Sequence, residues 1–331
     1  MKSSETGKWV SILLLGILPF SLFAQEDEEW LDSLLAKRLF DELFDTTLPG
    51  LYKEGDWGLR FRPKMGDFLD DDYVRMLGGV RYSFSNYFDA YVDIGAYVPN
   101  PIQSGSGSGV YAWRFGARYS WYNVGKWKND IAVGVNEEIP ISDPPLEITD
   151  GYARHEPYIT ISHQFKNYPN WRVYLNAAYE FVSDSAIKSD PVSPQPDDRL
   201  FLRPGVIFYD GGKFRYSCEF EYRTNVLHFT NDEMIPMGYM GPPDDVRRPQ
   251  NWILAYEDVH EIIAYPGLTW FPTKKVRDGF IIPGNWDVGV RVKVPIIEKT
   301  GQDIGISIRF RWHYDYGKQI RKEFKRLIGR L

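Results

Sequence analysis

Residues 304–316 read Ile-Gly-Ile-Ser-Ile-Arg-Phe-Arg-Trp-His-Tyr-Asp-Tyr. Every even position, from Ile304 to Tyr316, is apolar or aromatic, and every odd position, from Gly305 to Asp315, is small or polar. Side chains on a strand alternate between its two faces, so this segment has one greasy face and one charged face. A period of two begins at Trp57 and predicts twelve strands over 57–65, 73–84, 87–98, 110–121, 130–140, 156–165, 171–182, 199–209, 213–224, 259–271, 285–296 and 303–316. Most are about 10 residues or slightly longer, the length a tilted strand needs to cross hydrocarbon. Strands of soluble proteins average about five or six.

The connections alternate in length over most of the chain. Ser85-Asn86, the turn from Lys166 to Asn170 and Asp210-Gly211-Gly212 are tight, whereas 99–109, 141–155, 183–198 and 225–258 are long and rich in Pro, Gly, Ser and Asp. Short turns on one side and long loops on the other are the arrangement of an outer-membrane barrel. Two connections, 272–284 and 298–303, break the alternation, so the register near 250–285 is weakly specified. The fold class expected is all-β: a transmembrane antiparallel up-and-down β-barrel of about 12 strands over 51–317, with short amphipathic helices at both ends.

The ends of the chain follow other periods. Lys2 and Lys8 precede an apolar run, Trp9 to Phe23, and Leu22-Phe23-Ala24 is the expected cleavage site, although Leu22 is larger than the small residue usual there; residues 1–24 are therefore expected to be a signal peptide. Residues 25–50 hold an acidic amphipathic helix, Glu26 to Leu48, expected to lie in the periplasm or to plug the barrel. Its apolar face carries Trp30, Leu34, Leu35, Leu43 and Phe44. Residues 318–331 form a basic counterpart in which Ile320, Phe324 and Leu327 oppose Arg321, Lys325 and Arg326. An even strand number puts both ends on the periplasmic side, where the two helices are expected either to pair with each other or to rest the basic one on the anionic inner face of the membrane.

Composition fits this picture. No apolar run of about 18 residues follows the leader, which excludes a helical membrane protein. The mean hydropathy of −0.39 still allows a barrel, because half of each strand faces a wet lumen. Aromatic residues make up 16% of the chain and gather at strand ends. Trp57, Trp121, Trp171, Trp270, Trp286, Trp312 and Tyr316 are the expected membrane-interface girdles. Parity places Tyr111, Trp113, Phe115, Ala117, Tyr119 and Trp121 outward on one strand, and Phe214, Tyr216, Cys218, Phe220 and Tyr222 outward on another. Cys218 is the single cysteine, so no internal disulfide exists.

The inward parity carries the charge. Its expected cations are Arg60, Arg62, Lys64, Arg75, Arg81, Arg114, Arg118, Arg172, Arg203, Arg215, Arg223, Arg291, Lys293, Arg309 and Arg311. Its expected anions are Asp89, Asp93, Glu138, Glu180, Glu219, Glu221, Glu261 and Asp287. Positive charge thus collects inside a protein whose net charge is −6. An arginine-rich lumen attracts anionic solutes; the competing reading is an interior cross-linked by Arg and Glu ladders, or plugged, with no usable pore. The Asp70-Asp71-Asp72, Asp197-Asp198 and Asp244-Asp245 clusters in the long loops are solvated charge or divalent-cation sites, and none has the spacing of a calcium-binding loop.

Signals for catalysis are weak. The five histidines form no metal-binding spacing, and no nucleophile elbow or phosphate loop is present. A barrel hydrolase acting on lipid needs an outward Ser and an outward His at one level. His163 is the only outward histidine by parity, with no outward Ser beside it. No enzyme, cofactor or metal is expected. Arg203-Pro204-Gly205-Val206, Tyr265 to Trp270 and Trp286 to Pro295 resemble the repeated strand pattern of the MetA-pathway phenol-degradation barrel group. That resemblance implies a transporter of small molecules, and it covers about residues 73–312. The expected function is a passive, porin-like channel for small anionic solutes; the alternatives are a plugged structural or partner-binding barrel and, further off, an outer-membrane lipid-modifying enzyme. The expected location is the Gram-negative outer membrane, as a monomer. Its partners would be outer-membrane lipid, a small-molecule solute and the barrel-assembly machinery, with no nucleic acid.

Overall fold

The computed structural model describes residues 43–44, 46–50, 54–65, 72–102, 105–142, 144–145, 148–149, 151–168, 170–184, 198–210, 214–226, 260–272, 285–297 and 304–314. The expected leader, the expected basic C-terminal helix, Tyr316 and the Asp244-Asp245 cluster lie outside these residues, as does the expected acidic helix except for residues 43–44 and 46–48.

Twelve strands follow one another: β1 (Trp57–Met65), β2 (Tyr73–Ser83), β3 (Phe88–Pro99), β4 (Gly109–Val124), β5 (Asn129–Pro140), β6 (Tyr152–Gln164), β7 (Trp171–Asp184), β8 (Asp198–Tyr209), β9 (Phe214–Val226), β10 (His260–Trp270), β11 (Asn285–Ile297) and β12 (Gly305–Tyr314). Each pairs antiparallel with its chain neighbours, and β1 closes onto β12 through Arg60 opposite Arg311 and Phe61 opposite Phe310. Closure removes every open edge, which is the condition for strands to sit in lipid. Local chemistry sets the tight turns: between β2 and β3, the Ser85 hydroxyl accepts the amides of Tyr87 and Phe88 at 3.2 and 3.0 Å.

Parity sorts the faces as the alternation predicts. Leu59, Phe61, Val92, Ile94, Trp113, Ile159, Ile161, Leu175, Phe220, Leu268, Val290 and Ile308 stand exposed around the outside. An apolar belt of that extent belongs in hydrocarbon rather than water. The opposite parity buries Arg60, Arg81, Asp89, Asp93, Arg118, Arg172, Arg203, Arg215, Glu219, Glu261, Asp287, Arg291, Arg309 and Arg311 in the interior.

The details correct the expectation in four places. Tyr111 is buried rather than outward, because a register shift between Gly95 and Ala96 on β3 turns the start of β4. Trp286 and Trp312 keep the outward parity but are buried, packed edge-on against Trp270 and Trp57 with ring centroids 5.6 and 5.2 Å apart. β6 begins at Tyr152, four residues before the predicted start, and carries its parity further toward the long loops. The end of the predicted acidic helix is not helical: residues 43–44 and 46–50 are irregular and buried. The carbonyl oxygens of residues 43, 44 and 47–50 bond to the barrel wall instead of to amides one helical turn on.

Candidate functional site: the arginine-lined lumen

Three aspartates on the inner wall each hold two arginines. Asp93 on β3 takes a two-pronged contact from Arg60 at 2.7 and 2.6 Å and a further bond from Arg62 at 3.0 Å. Asp89, near the short-turn end of the same strand, bridges Arg81 at 2.8 Å and Arg118 at 2.9 and 2.5 Å. Asp287 on β11 bridges Arg311 at 3.0 Å and Arg309 at 3.2 Å. In each group two guanidiniums share one carboxylate. Positive charge is therefore in excess locally, and donor hydrogens remain that need an acceptor in a buried site.

The acceptors come from residues 43–50, which run through the interior. One arginine of each trio reaches this segment: Arg309 Nη1 donates to Leu43 O at 2.8 Å, Arg62 Nη1 to Phe44 O at 2.6 Å, and Arg118 Nη1 to Leu48 O. Arg172, which also bonds Asp130 at 3.1 Å and Ser162 at 2.7 Å, donates to Pro49 O at 3.3 Å. Thr160 donates to Thr47 O at 2.8 Å, and the Tyr122 hydroxyl donates to Gly50 O. Six wall-to-segment bonds thus reach the carbonyls of residues 43, 44, 47, 48, 49 and 50. Gly50 sits at the short-turn end of β4, and Leu43 meets β12 five residues in from that strand's end.

Apolar contacts seat the same segment. Leu43 and Leu48 pack with Tyr174, Ile207 and Tyr209. The Phe44 ring lies between Arg291 and Arg309, whose guanidinium carbons stand 5.1 and 5.0 Å from its centroid. Phe44 also passes so close to Gly289 that a Cβ there would come within 3.1 Å of its ring.

Away from the segment, the wall cross-links itself. Arg203 bonds Glu221 at 2.7 Å, Asn176 at 3.2 Å and Glu156 at 3.3 Å. Glu180 takes Arg154 and Arg199, both at 3.7 Å; Arg114 meets Glu138 at 3.0 Å; Arg223 pairs with Glu261. Glu219 accepts the Tyr174 hydroxyl at 2.7 Å, and Arg215 donates to Thr269 at 3.2 Å. Arg75 and Lys293 are half-buried on β2 and β11. The inward set expected from the sequence lacks Asp130 and Glu156, the first residues of two predicted strands, and Arg154, which precedes the predicted start of β6. It also lacks the inward tyrosines. Asp198, counted there as loop charge, is buried and accepts the Tyr179 hydroxyl and the Val182 amide at 3.1 and 3.0 Å.

Fold and interior together define a class: a twelve-stranded transmembrane barrel of the outer-membrane kind with a charged, occupied lumen. No family model and no curated protein matches the chain. Among solved structures it is similar to an outer membrane channel from Pseudomonas putida F1, at a TM-score of 0.53 and 8% identity over 82% of this chain and 100% of that one. The KdgM porin gives a TM-score of 0.45 at 11% identity over 78% and 99%, and the NanC porin 0.43 at 10% over 77% and 97%. At such identities the likeness is one of fold.

Proposed function

We propose that the protein is an outer-membrane channel for small anionic solutes, closed in this state by residues 43–50. The observation that carries the reading is the pairing of three aspartate-centred arginine pairs with backbone carbonyls of one segment. If that segment leaves, Arg62, Arg118 and Arg309 turn donors and excess positive charge toward the lumen, and a carboxylate, phosphate or sulfate supplies the acceptors best matched to them. The strand motifs similar to the MetA-pathway barrel group support a small-molecule solute. The leader over 1–24 and the barrel-assembly machinery would deliver the chain to that membrane.

Planar-bilayer recording tests the reading. The full-length mature protein is expected to conduct weakly, and a variant lacking residues 25–50 to conduct several-fold more, with anion over cation selectivity. Conductance at background in both proteins, or cation selectivity in the variant, overturns it. Background conductance in both would favour the plugged structural barrel, for which the same buried segment is the supporting observation.

A further inference from the structure

A second constellation lies on the outside of the barrel. Glu137 of β5, His155 of β6 and Ser183 of β7 all share the outward parity. On β6 the exposed residues are Ile159 and Ile161, whereas Tyr158, Thr160 and Ser162 are buried; on β7 Leu175 and Phe181 are exposed, whereas Tyr174, Asn176 and Val182 are buried. Register puts Glu137 directly opposite His155, and Ser183 diagonal to it. His155 Nδ1 contacts the Glu137 carboxylate, and His155 Nε2 stands 2.9 Å from Ser183 Oγ. A carboxylate only accepts, so Nδ1 carries the proton, and Nε2 is left to accept the serine hydroxyl. That is the tautomer and the connectivity of a serine–histidine–carboxylate nucleophile.

Position supplies the substrate class. His155 lies three residues from the start of β6, Ser183 one residue from the end of β7, and Glu137 three residues from the end of β5, all at the rim that bears the long loops. Directly below stand Ile159, Ile161 and Leu175 of the apolar belt. The triad therefore sits where hydrocarbon gives way to headgroups, the depth at which acyl chains of the outer leaflet are esterified. Phe181, opposite His155 and 47% exposed, offers an acyl chain an apolar face beside the nucleophile. The side chain of His155 is 37% exposed, so the reacting atoms are open to lipid rather than to the lumen.

We propose that Ser183, His155 and Glu137 form a hydrolase site for carboxylic esters of outer-leaflet lipids. Ser183 Oγ attacks the ester carbonyl carbon while His155 Nε2 takes its proton. The ester C–O bond breaks, and the same proton passes to the departing alkoxide, leaving an acyl group on Ser183. Water then attacks the acyl carbon and gives a proton to Nε2. The acyl–Oγ bond breaks, Ser183 regains its proton from Nε2, and a free fatty acid leaves. Glu137 is a positioning residue: it holds the ring and stabilises the imidazolium formed at both steps. This site is independent of the lumen.

The full-length mature protein, refolded in mixed micelles of phosphatidylethanolamine, is the material for the test. A fluorophosphonate probe is expected to label Ser183, located by peptide mass spectrometry, and fatty acid to be released from the phospholipid. Ser183→Ala should abolish labelling and lower fatty-acid release by at least a hundredfold, and His155→Asn should do the same. Glu137→Ala should lower release more than tenfold, and Glu137→Asp should recover part of it, a rescue that mere structural support would not produce. Folding is followed separately by the heat-modifiable gel shift of the closed barrel. A barrel that keeps this shift yet neither takes the probe at Ser183 nor releases fatty acid overturns the proposal, as does release that survives Ser183→Ala.

Discussion

Asp89 bridges two guanidiniums that would otherwise face each other across β2, β3 and β4 at almost full burial, with Arg118 1% exposed. Removing one partner of a buried ion pair costs about 3–5 kcal/mol, because the remaining charge is stranded. Asp89→Asn is therefore expected to lower barrel stability by about that amount, read as a fall in the urea unfolding midpoint in detergent. A steric counterpart lies on the opposite wall, where the Tyr174 ring lies flat across Gly205. A Cβ at Gly205 would sit 2.2 Å from that ring. Gly205→Ala must push Tyr174 off its place and break its bond to Glu219, at a cost of about 1–3 kcal/mol. The same unfolding assay checks it, and an unchanged midpoint would mean that the tyrosine has another rotamer available. Both substitutions are conservative in size, and both act through contacts that cross between strands rather than along one.

The segment 43–50 illustrates how an element can be held without secondary structure of its own. Its carbonyls bond to arginines, a threonine and a tyrosine of the wall, while Phe44 fills the space over Gly289. Phe44→Ala removes the apolar anchor and the contacts with Arg291 and Arg309, so the segment should leave the lumen more often. Single-channel recording is expected to show longer or more frequent open events than in the parent protein; identical open probability would sink this view of Phe44. The strands themselves were legible in the chain because a period of two, sustained over about 10 residues, has one physical solution when one face meets lipid and the other a wet interior. The inward arginines followed from parity alone. What parity missed lies where the period is interrupted. A register shift at Gly95 turned Tyr111 inward, and an early start of β6 brought Arg154 and His155 into the sheet. Residues 43–50 carry a helical hydrophobic spacing, yet their backbone goes to arginines contributed by strands far along the chain. Local periodicity cannot show such long-range acceptance.

Across the whole molecule, charge is divided by solvent. The chain is acidic overall, at −6, while its interior holds guanidiniums gathered two to a carboxylate at Asp89, Asp93 and Asp287. A low-dielectric wall focuses the field of such groups along the barrel axis. In the variant lacking residues 25–50 that field should govern permeation, and its reach depends on salt. The screening length is about 10 Å at 0.1 M ionic strength and about 3 Å at 1 M. At 0.1 M the groups at Asp89, Asp93 and Asp287 act on an ion anywhere in the cross-section; at 1 M each acts only on an ion in contact. The reversal potential under a fixed tenfold KCl gradient should therefore indicate strong anion selectivity with dilute solutions and much weaker selectivity with concentrated ones. Adding Arg62→Ala and Arg309→Ala should shift the dilute value toward zero and leave the concentrated one nearly unchanged. Selectivity that ignores salt would instead point to a steric filter at the narrowest ring, and the arginine trios would then be the framework of the wall rather than the source of its preference.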